Sequence, residues 1–233
     1  MAQEKEIKIK LTTLSLDEFI KRISKKGFKK EKEVKQNDIY FDTKDWFLYE
    51  NIAALRLRIV NGKDDSFSFK KVFYLPKKKN NYFIEEIELK FPLEDTKTLK
   101  RIFSKIGLSY IDQSFISGKE LTNFLKKQKY LDEQKMSKVR QVFKKGTDEI
   151  VIDNVDKVGV IIELECKEND PLEIIKTLLK DSEWERSIEG TSYIWLKNVK
   201  GLSSHIKNTE RFKTEPIWNV WKTEENFYKK INT

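Results

Sequence analysis

Apolar and polar residues alternate with a period of two over residues 4–11, so that Ile7, Ile9 and Leu11 share one side and Glu4, Glu6 and Lys8 the other. Successive side chains of a β-strand point to opposite faces, and this stretch is predicted to be a strand. The same pattern predicts strands over residues 38–42, 52–60, 66–73, 82–90, 138–144, 149–155 and 158–166, eight in all. Asn61-Gly62 separates two of them and predicts a tight hairpin, hence an antiparallel pair. Helical spacing takes over elsewhere. Ser15 followed by Asp17 and Glu18 predicts a capped helix carrying Phe19, Ile20 and Ile23 and stopping at Gly27. Leu99, Ile102, Phe103 and Ile106 mark a second helix within residues 93–106, and Pro171 opens a third that runs through Leu178 and Leu179. Residues 108–135 are charged and mainly helical in pattern, with Leu121, Phe124 and Leu125 on one side, and read as an insertion lying over the domain. Residues 191–196 read as a further short element.

On nearly every predicted strand one face is apolar and the other charged. The charged sets are Glu4, Glu6 and Lys8; Arg56 and Arg58; Ser68 and Lys70; Glu86, Glu88 and Lys90; Lys138 and Arg140; Asp153; and Glu163 and Glu165. A single strand of this kind shows its polar face to water. The amphipathic helices are the available cover for the apolar faces, so the charged faces are expected to point inward. Buried ions need partners or a ligand, and here acids and bases are nearly balanced. Arg forks and Lys ammonium groups suit phosphate oxygens, whereas carboxylates in the same lumen suit Mg²⁺ or Mn²⁺.

Composition narrows the picture. The chain has 233 residues and a formal net charge of +9, which favours anionic partners. Cys166 is the only cysteine, which excludes an intrachain disulfide and a thiolate zinc site and suggests a reducing compartment. Its alternation away from Glu165 makes it a core thiol. His205 is the only histidine, too little for a His-rich metal cluster. No apolar run is long enough to span a bilayer and the charged start lacks a signal-peptide core, so a cytoplasmic protein with no membrane partner is expected. Nucleic acid is not expected as a partner, because the bases sit on inward faces and no nucleic-acid motif accompanies the charge.

In order and spacing these motifs resemble the CYTH superfamily, the triphosphate tunnel metalloenzymes. The Glu-x-Glu-x-Lys signature is matched by Glu4, Glu6 and Lys8, the Asp-Thr by Asp42-Thr43 and the Leu-Arg-x-Arg by Leu55 to Arg58. Lys70, Glu86 and Glu88, Lys138 and Arg140, Asp153, Glu163 and Glu165, and Ser192-Tyr193 match the remainder. Two features depart from the family pattern: Ile84 stands where relatives often carry Arg, and residues 108–135 are longer than its compact form.

The resemblance implies an α+β fold, an eight-stranded antiparallel β-barrel with helices outside. It places a tunnel domain at residues 1–199 and an extension at 200–233. It implies a triphosphate-containing small molecule as substrate and Mg²⁺ or Mn²⁺ as cofactor. Glu4, Glu6, Glu88, Glu163 and Glu165 are the expected metal ligands. Arg56, Arg58, Lys70, Lys138 and Arg140 are expected to bind phosphate, and Lys8 and Asp153 to serve catalysis. Metal-dependent triphosphate hydrolysis is the expected activity; a class IV adenylate cyclase and a non-catalytic polyphosphate-binding module are the alternatives. The oligomeric state, a homodimer included, stays open.

Overall fold

The computed structural model describes residues 5–50, 53–74, 82–108 and 113–187. Strand β1 (Lys5–Leu11) leads to helix α1 (Leu16–Lys25), whose Ser15 cap accepts the Glu18 backbone N–H. Strand β2 (Lys29–Asp42), the short helix α2 (Phe47–Glu50) and strands β3 (Ala53–Val60), β4 (Lys63–Tyr74) and β5 (Tyr82–Lys90) follow. Helices α3 (Thr96–Lys105) and α4 (Gly118–Lys127) precede strands β6 (Leu131–Lys145), β7 (Asp148–Val155) and β8 (Gly159–Cys166). Helix α5 (Pro171–Leu178), with proline in its first turn, and the three-residue strand β9 (Trp184–Arg186) complete the set.

The fold is α+β, and its strands form a sheet in the order β5-β4-β3-β2-β6-β7-β8-β1-β9, in which β1 runs antiparallel to β8 and β9, β4 to β3 and β5, and β7 to β6 and β8. Among the described residues there are nine strands where eight were expected, because β9 pairs with β1. Among the described residues, hydrogen bonding gives this order two ends and not a closed ring. Asn61 and Gly62 both have positive φ, 51° and 80°, which is the two-residue hairpin geometry that Asn-Gly favours.

Two compact units make up the chain. In the first, described over residues 5–36 and 136–187, Ile7 and Ile9 of β1, Ile150 and Ile152 of β7, and Ile162, Leu164 and Cys166 of β8 pack against Phe19 and Ile23 of α1 and Ile175 of α5. Cys166 is thus a core thiol. In the second, residues 37–135, Leu55 and Leu57 of β3 and Phe67 and Phe69 of β4 pack against Leu99, Ile102 and Phe103 of α3 and Leu121 and Leu125 of α4. The charged residues of each unit alternate away from these cores. Long charged side chains therefore occupy the side of each sheet that the helices leave uncovered.

The segment expected to be an insertion, where described, belongs to the second unit's body. Phe115 bridges to Leu93, α4 supplies core residues, and residues from Leu131 onward already belong to β6. Gly118 permits the close approach of α4 to the β3–β4 hairpin: a Cβ there would lie 2.7 Å from Asp64 Oδ1 and 2.8 Å from a Leu57 methyl. Its N–H donates to Asp64 Oδ2 at 2.6 Å.

Candidate functional site

The two units each carry a charged cluster. In the first unit, Glu6 and Lys8 on β1, Glu163 on β8, Arg140 and Lys138 on β6 and Asp153 on β7 form a chain of alternating charge. Lys8 Nζ lies 3.1 Å from Glu6 Oε1 and 3.0 Å from Glu163 Oε1. The other Glu163 oxygen is 3.5 Å from Arg140. Arg140 donates two hydrogen bonds to Asp153, from Nε at 2.7 Å and Nη2 at 2.6 Å, and Lys138 Nζ donates a third at 2.6 Å. The register makes this arrangement: Lys8 stands opposite Glu163, and Arg140 opposite Asp153.

Asp153 is completely buried. Burial works against its carboxylate, but the Arg140 and Lys138 charges prevail and hold its pKa below the ordinary aspartate value. Glu163 is likewise held low, with burial outweighed chiefly by Lys8 and Arg140. For Lys8 the balance runs the other way: burial disfavours the ammonium, while Glu163 and Glu6 outweigh it and raise its pKa well above the ordinary lysine value. Lys8, Asp153 and Glu163 therefore stay ionised at neutral pH.

Glu165 faces Glu6 in the β1–β8 register and Glu149 in the β7–β8 register, so three carboxylates form one row across three strands. Like charges directly opposite one another are unfavourable unless a cation is shared. Lys144 reaches Glu149 at 3.4 Å. Glu149 was not singled out from the sequence, although it alternates with Val151 and Asp153 on the charged side of its strand.

The second unit's cluster is centred on Asp38, which is 1% exposed. Arg58 grips it with Nε at 2.7 Å and Nη2 at 2.8 Å. Arg56 is held more loosely, at 3.9 Å from Asp38, 3.8 Å from Glu86 and 3.5 Å from Glu88. Lys70 contacts Glu86 at 3.3 Å, and Lys90 contacts Glu88 at 3.2 Å and Asp65 at 2.9 Å. Burial and the neighbouring Asp38 push the Tyr40 hydroxyl up to about 12, against the pull of Arg56 and Arg58. Sequence reasoning missed Asp38. Its signal was the alternation Asp38, Tyr40, Asp42 opposite Ile39 and Phe41.

Asp42, by contrast, builds a turn. Its carboxylate accepts the backbone N–H groups of Thr43, Leu48 and Tyr49 at 2.7, 2.8 and 2.9 Å. Burial pushes its pKa up to about 6 against the pull of those donors. Glu4, Ser192 and Tyr193 lie outside the described residues.

The family model for the CYTH domain matches residues 2–192. The chain belongs to the CYTH family. A Methanocaldococcus jannaschii protein, named as a proposed adenylate cyclase, is 30% identical to this CYTH protein over 174 residues, 74% of this chain and 83% of its own. Among solved structures, a Pyrococcus horikoshii protein has a TM-score of 0.54 at 14% identity, covering 82% of this chain and 99% of that one. A Hippeastrum protein, described as a proposed adenylyl cyclase with a dominant triphosphatase activity, has a TM-score of 0.53 at 21% identity, covering 85% and 96%. These likenesses show the shared fold.

Among the described residues no three acid, His or Cys side chains are already gathered as a metal cage. Two observations nevertheless fit a hard divalent cation in the first unit. Glu6 and Glu163 converge on one cationic point, the Lys8 ammonium. The Cα register also aligns Glu6, Glu165 and Glu149 in one row across β1, β8 and β7. Oxygen donors of this kind suit Mg²⁺ or Mn²⁺.

Proposed function

We propose that this CYTH protein is a divalent-metal-dependent triphosphatase acting on tripolyphosphate, thiamine triphosphate or a nucleoside triphosphate. The observation that supports it best is the charge-alternating chain from Glu6 to Lys138, with phosphate-type cations held in place by buried carboxylates. In this reading Glu6, Glu163 and Glu165 would hold the metal, with Glu4 added from the alternation of the first strand; Glu88, in the second unit, is a candidate from the family motif alone. The metal, when bound, neutralises charge on the phosphate oxygens.

The chain's own residues supply orientation and electrostatics. Arg140 and Lys138 of the first unit hold phosphate oxygens and stabilise the charge that develops as the phosphoryl group transfers, and Arg56, Arg58 and Lys70 are the phosphate-binding candidates of the second unit's own cluster. Lys8 remains an ammonium and positions a phosphate oxygen or the attacking water. Asp153 keeps Arg140 and Lys138 aimed. Fixed charges of this kind need no reorganisation at the moment of reaction.

The test is a product assay on purified protein offered tripolyphosphate, thiamine triphosphate and ATP with Mg²⁺ or Mn²⁺. Orthophosphate release that disappears in Glu163→Gln is the expected result. The name of the 30% identical relative favours a second reading, cyclisation of ATP. Cyclic AMP and pyrophosphate as products would establish it in place of hydrolysis. Metal-dependent binding without turnover of any of the three would overturn both.

A further inference from the structure

Backbone geometry singles out one residue of the second unit. Among the described residues four other than glycine have positive φ, namely Trp46, Asn61, Lys129 and Lys157, and only Trp46 carries an aromatic ring. A bulky side chain in the left-handed region is an outlier that persists only where its surroundings enforce it. Here they do. The Trp46 N–H donates to the Thr43 carbonyl at 3.0 Å. Thr43 Oγ1 donates to Asp45 at 2.6 Å and accepts the Phe47 N–H at 3.1 Å. Asp42 then ties the segment to β2 through the N–H groups of Thr43, Leu48 and Tyr49. Glycine or asparagine adopts a φ of 59° more easily, so the turn by itself gives no reason for tryptophan.

The ring is held but not enclosed. Phe47 and Leu48 pack against the second unit's core, whereas Trp46 stays half-buried. Tyr49 meets it in a T-shaped contact, with centroids 6.3 Å apart and planes at 75°, which covers at most one indole face. The turn is also close to the charged cluster. Asp42 shares one side of β2 with Asp38, which holds Arg58, and with Tyr40, which lies under the pull of Arg56. Same-side neighbours on a strand are about 7 Å apart, so the turn folded onto Asp42 begins one such step beyond Tyr40.

We propose that Trp46 is a specificity-determining residue whose indole stacks on a planar heteroaromatic ring joined to the triphosphate, which makes an organic triphosphate the preferred substrate over tripolyphosphate. This rests on the triphosphate reading above and narrows it. Cations that hold phosphate oxygens serve any phosphate chain alike, whereas an aromatic surface beside them discriminates by the attached group. Stacking on an aromatic side chain accepts any base, because every base has a π face. The thiazolium ring of thiamine adds a positive charge, which an indole face also attracts. A ring fixed in advance by its turn loses little freedom on binding.

The experiment compares wild type, Trp46→Asn and Trp46→Phe in steady-state turnover of ATP, thiamine triphosphate and tripolyphosphate with Mg²⁺. Asparagine suits the left-handed backbone, so Trp46→Asn removes the ring without adding strain, and Trp46→Phe keeps an aromatic face. Wild type is expected to prefer an organic triphosphate. The ratio of its kcat/KM for that substrate to the value for tripolyphosphate should fall about tenfold in Trp46→Asn, mainly through KM, and recover in Trp46→Phe. A larger fall with ATP assigns the ring to a nucleobase, and a larger fall with thiamine triphosphate assigns it to thiamine. Tripolyphosphate has no ring, so a merely structural role would lower all three activities together and leave the ratio unchanged. That result would overturn the inference, as would a wild type that prefers tripolyphosphate. Failure of wild type to turn over or bind any of the three would overturn the triphosphate reading and this inference with it, a result distinct from the others.

Discussion

Asp153 shows how one buried side chain fixes several others. It accepts from Arg140 and Lys138 with no exposure to solvent, so removing it leaves two cations without their anion. Asp153→Ala is expected to cost about 3–5 kcal/mol in chemical denaturation at neutral pH, the range for stranding a buried charge. The pH dependence has a definite sign. Asp153 and Glu163 are held below their ordinary pKa values in the folded state. Their stabilisation is complete above the ordinary carboxylate range and is lost as pH falls below it toward their folded values. Denaturant midpoints for wild type should therefore drop as pH falls below about 4, and Glu163→Gln should show a shallower drop. An equal slope in the two proteins would remove Glu163 from that account. Lys8, held above its ordinary value, stays charged throughout this range and beyond neutrality. It can bind or orient, and it does not serve as a proton acceptor.

The elements show why some of the chain was legible in the sequence and some was not. Residues 149–155 and 158–166 were readable because their apolar faces are buried and alternation is strict. The first half of β2, from Lys29 to Lys35, was not. Nearly all of it is exposed, so it lacks the apolar period that marks a half-buried strand. Without that half, the expected short strand of residues 38–42 concealed a long one and left Asp38 outside the candidate site. Strand β9 has three residues, two of them charged and exposed, and its position is set by pairing with β1. The charged pairs at Arg56 and Arg58 and at Lys138 and Arg140 were visible from spacing alone. Which partner each would take depends on register, and that is fixed by contacts far apart in the chain.

At this scale the docking of α4 is open to a simple test. Gly118→Ala puts a methyl group against Asp64 and Leu57 and is expected to lower stability by about 1–3 kcal/mol, the usual cost of overpacking. Urea denaturation would measure it. Asp64→Ala should remove part of the penalty by vacating the space, so the two changes should be less than additive. Full additivity would show that Asp64 is not what the methyl group meets.

For the whole molecule, the net charge of +9 favours association with anions. Raising ionic strength at constant Mg²⁺ should increase KM for tripolyphosphate, because screening weakens attraction between exposed charges. The effect should be weaker on kcat, where the charges concerned are buried and paired. A KM unchanged between low and physiological salt would mean that net charge plays no part in capture.

The order of the strands along the chain has a further consequence for the protein as it is made. The described residues of the second unit, 37–135, form one continuous stretch, whereas those of the first lie on either side of it. Strand β1 leaves the ribosome early, yet its partner β8 emerges only after that stretch. Domains generally fold as units during synthesis, the earlier ones first. The Leu55 and Phe67 core can therefore close while Glu6 and Lys8 still await Glu163. A translation product halted before β8 would contain every described strand of the Arg56 cluster and none of the completed carboxylate row.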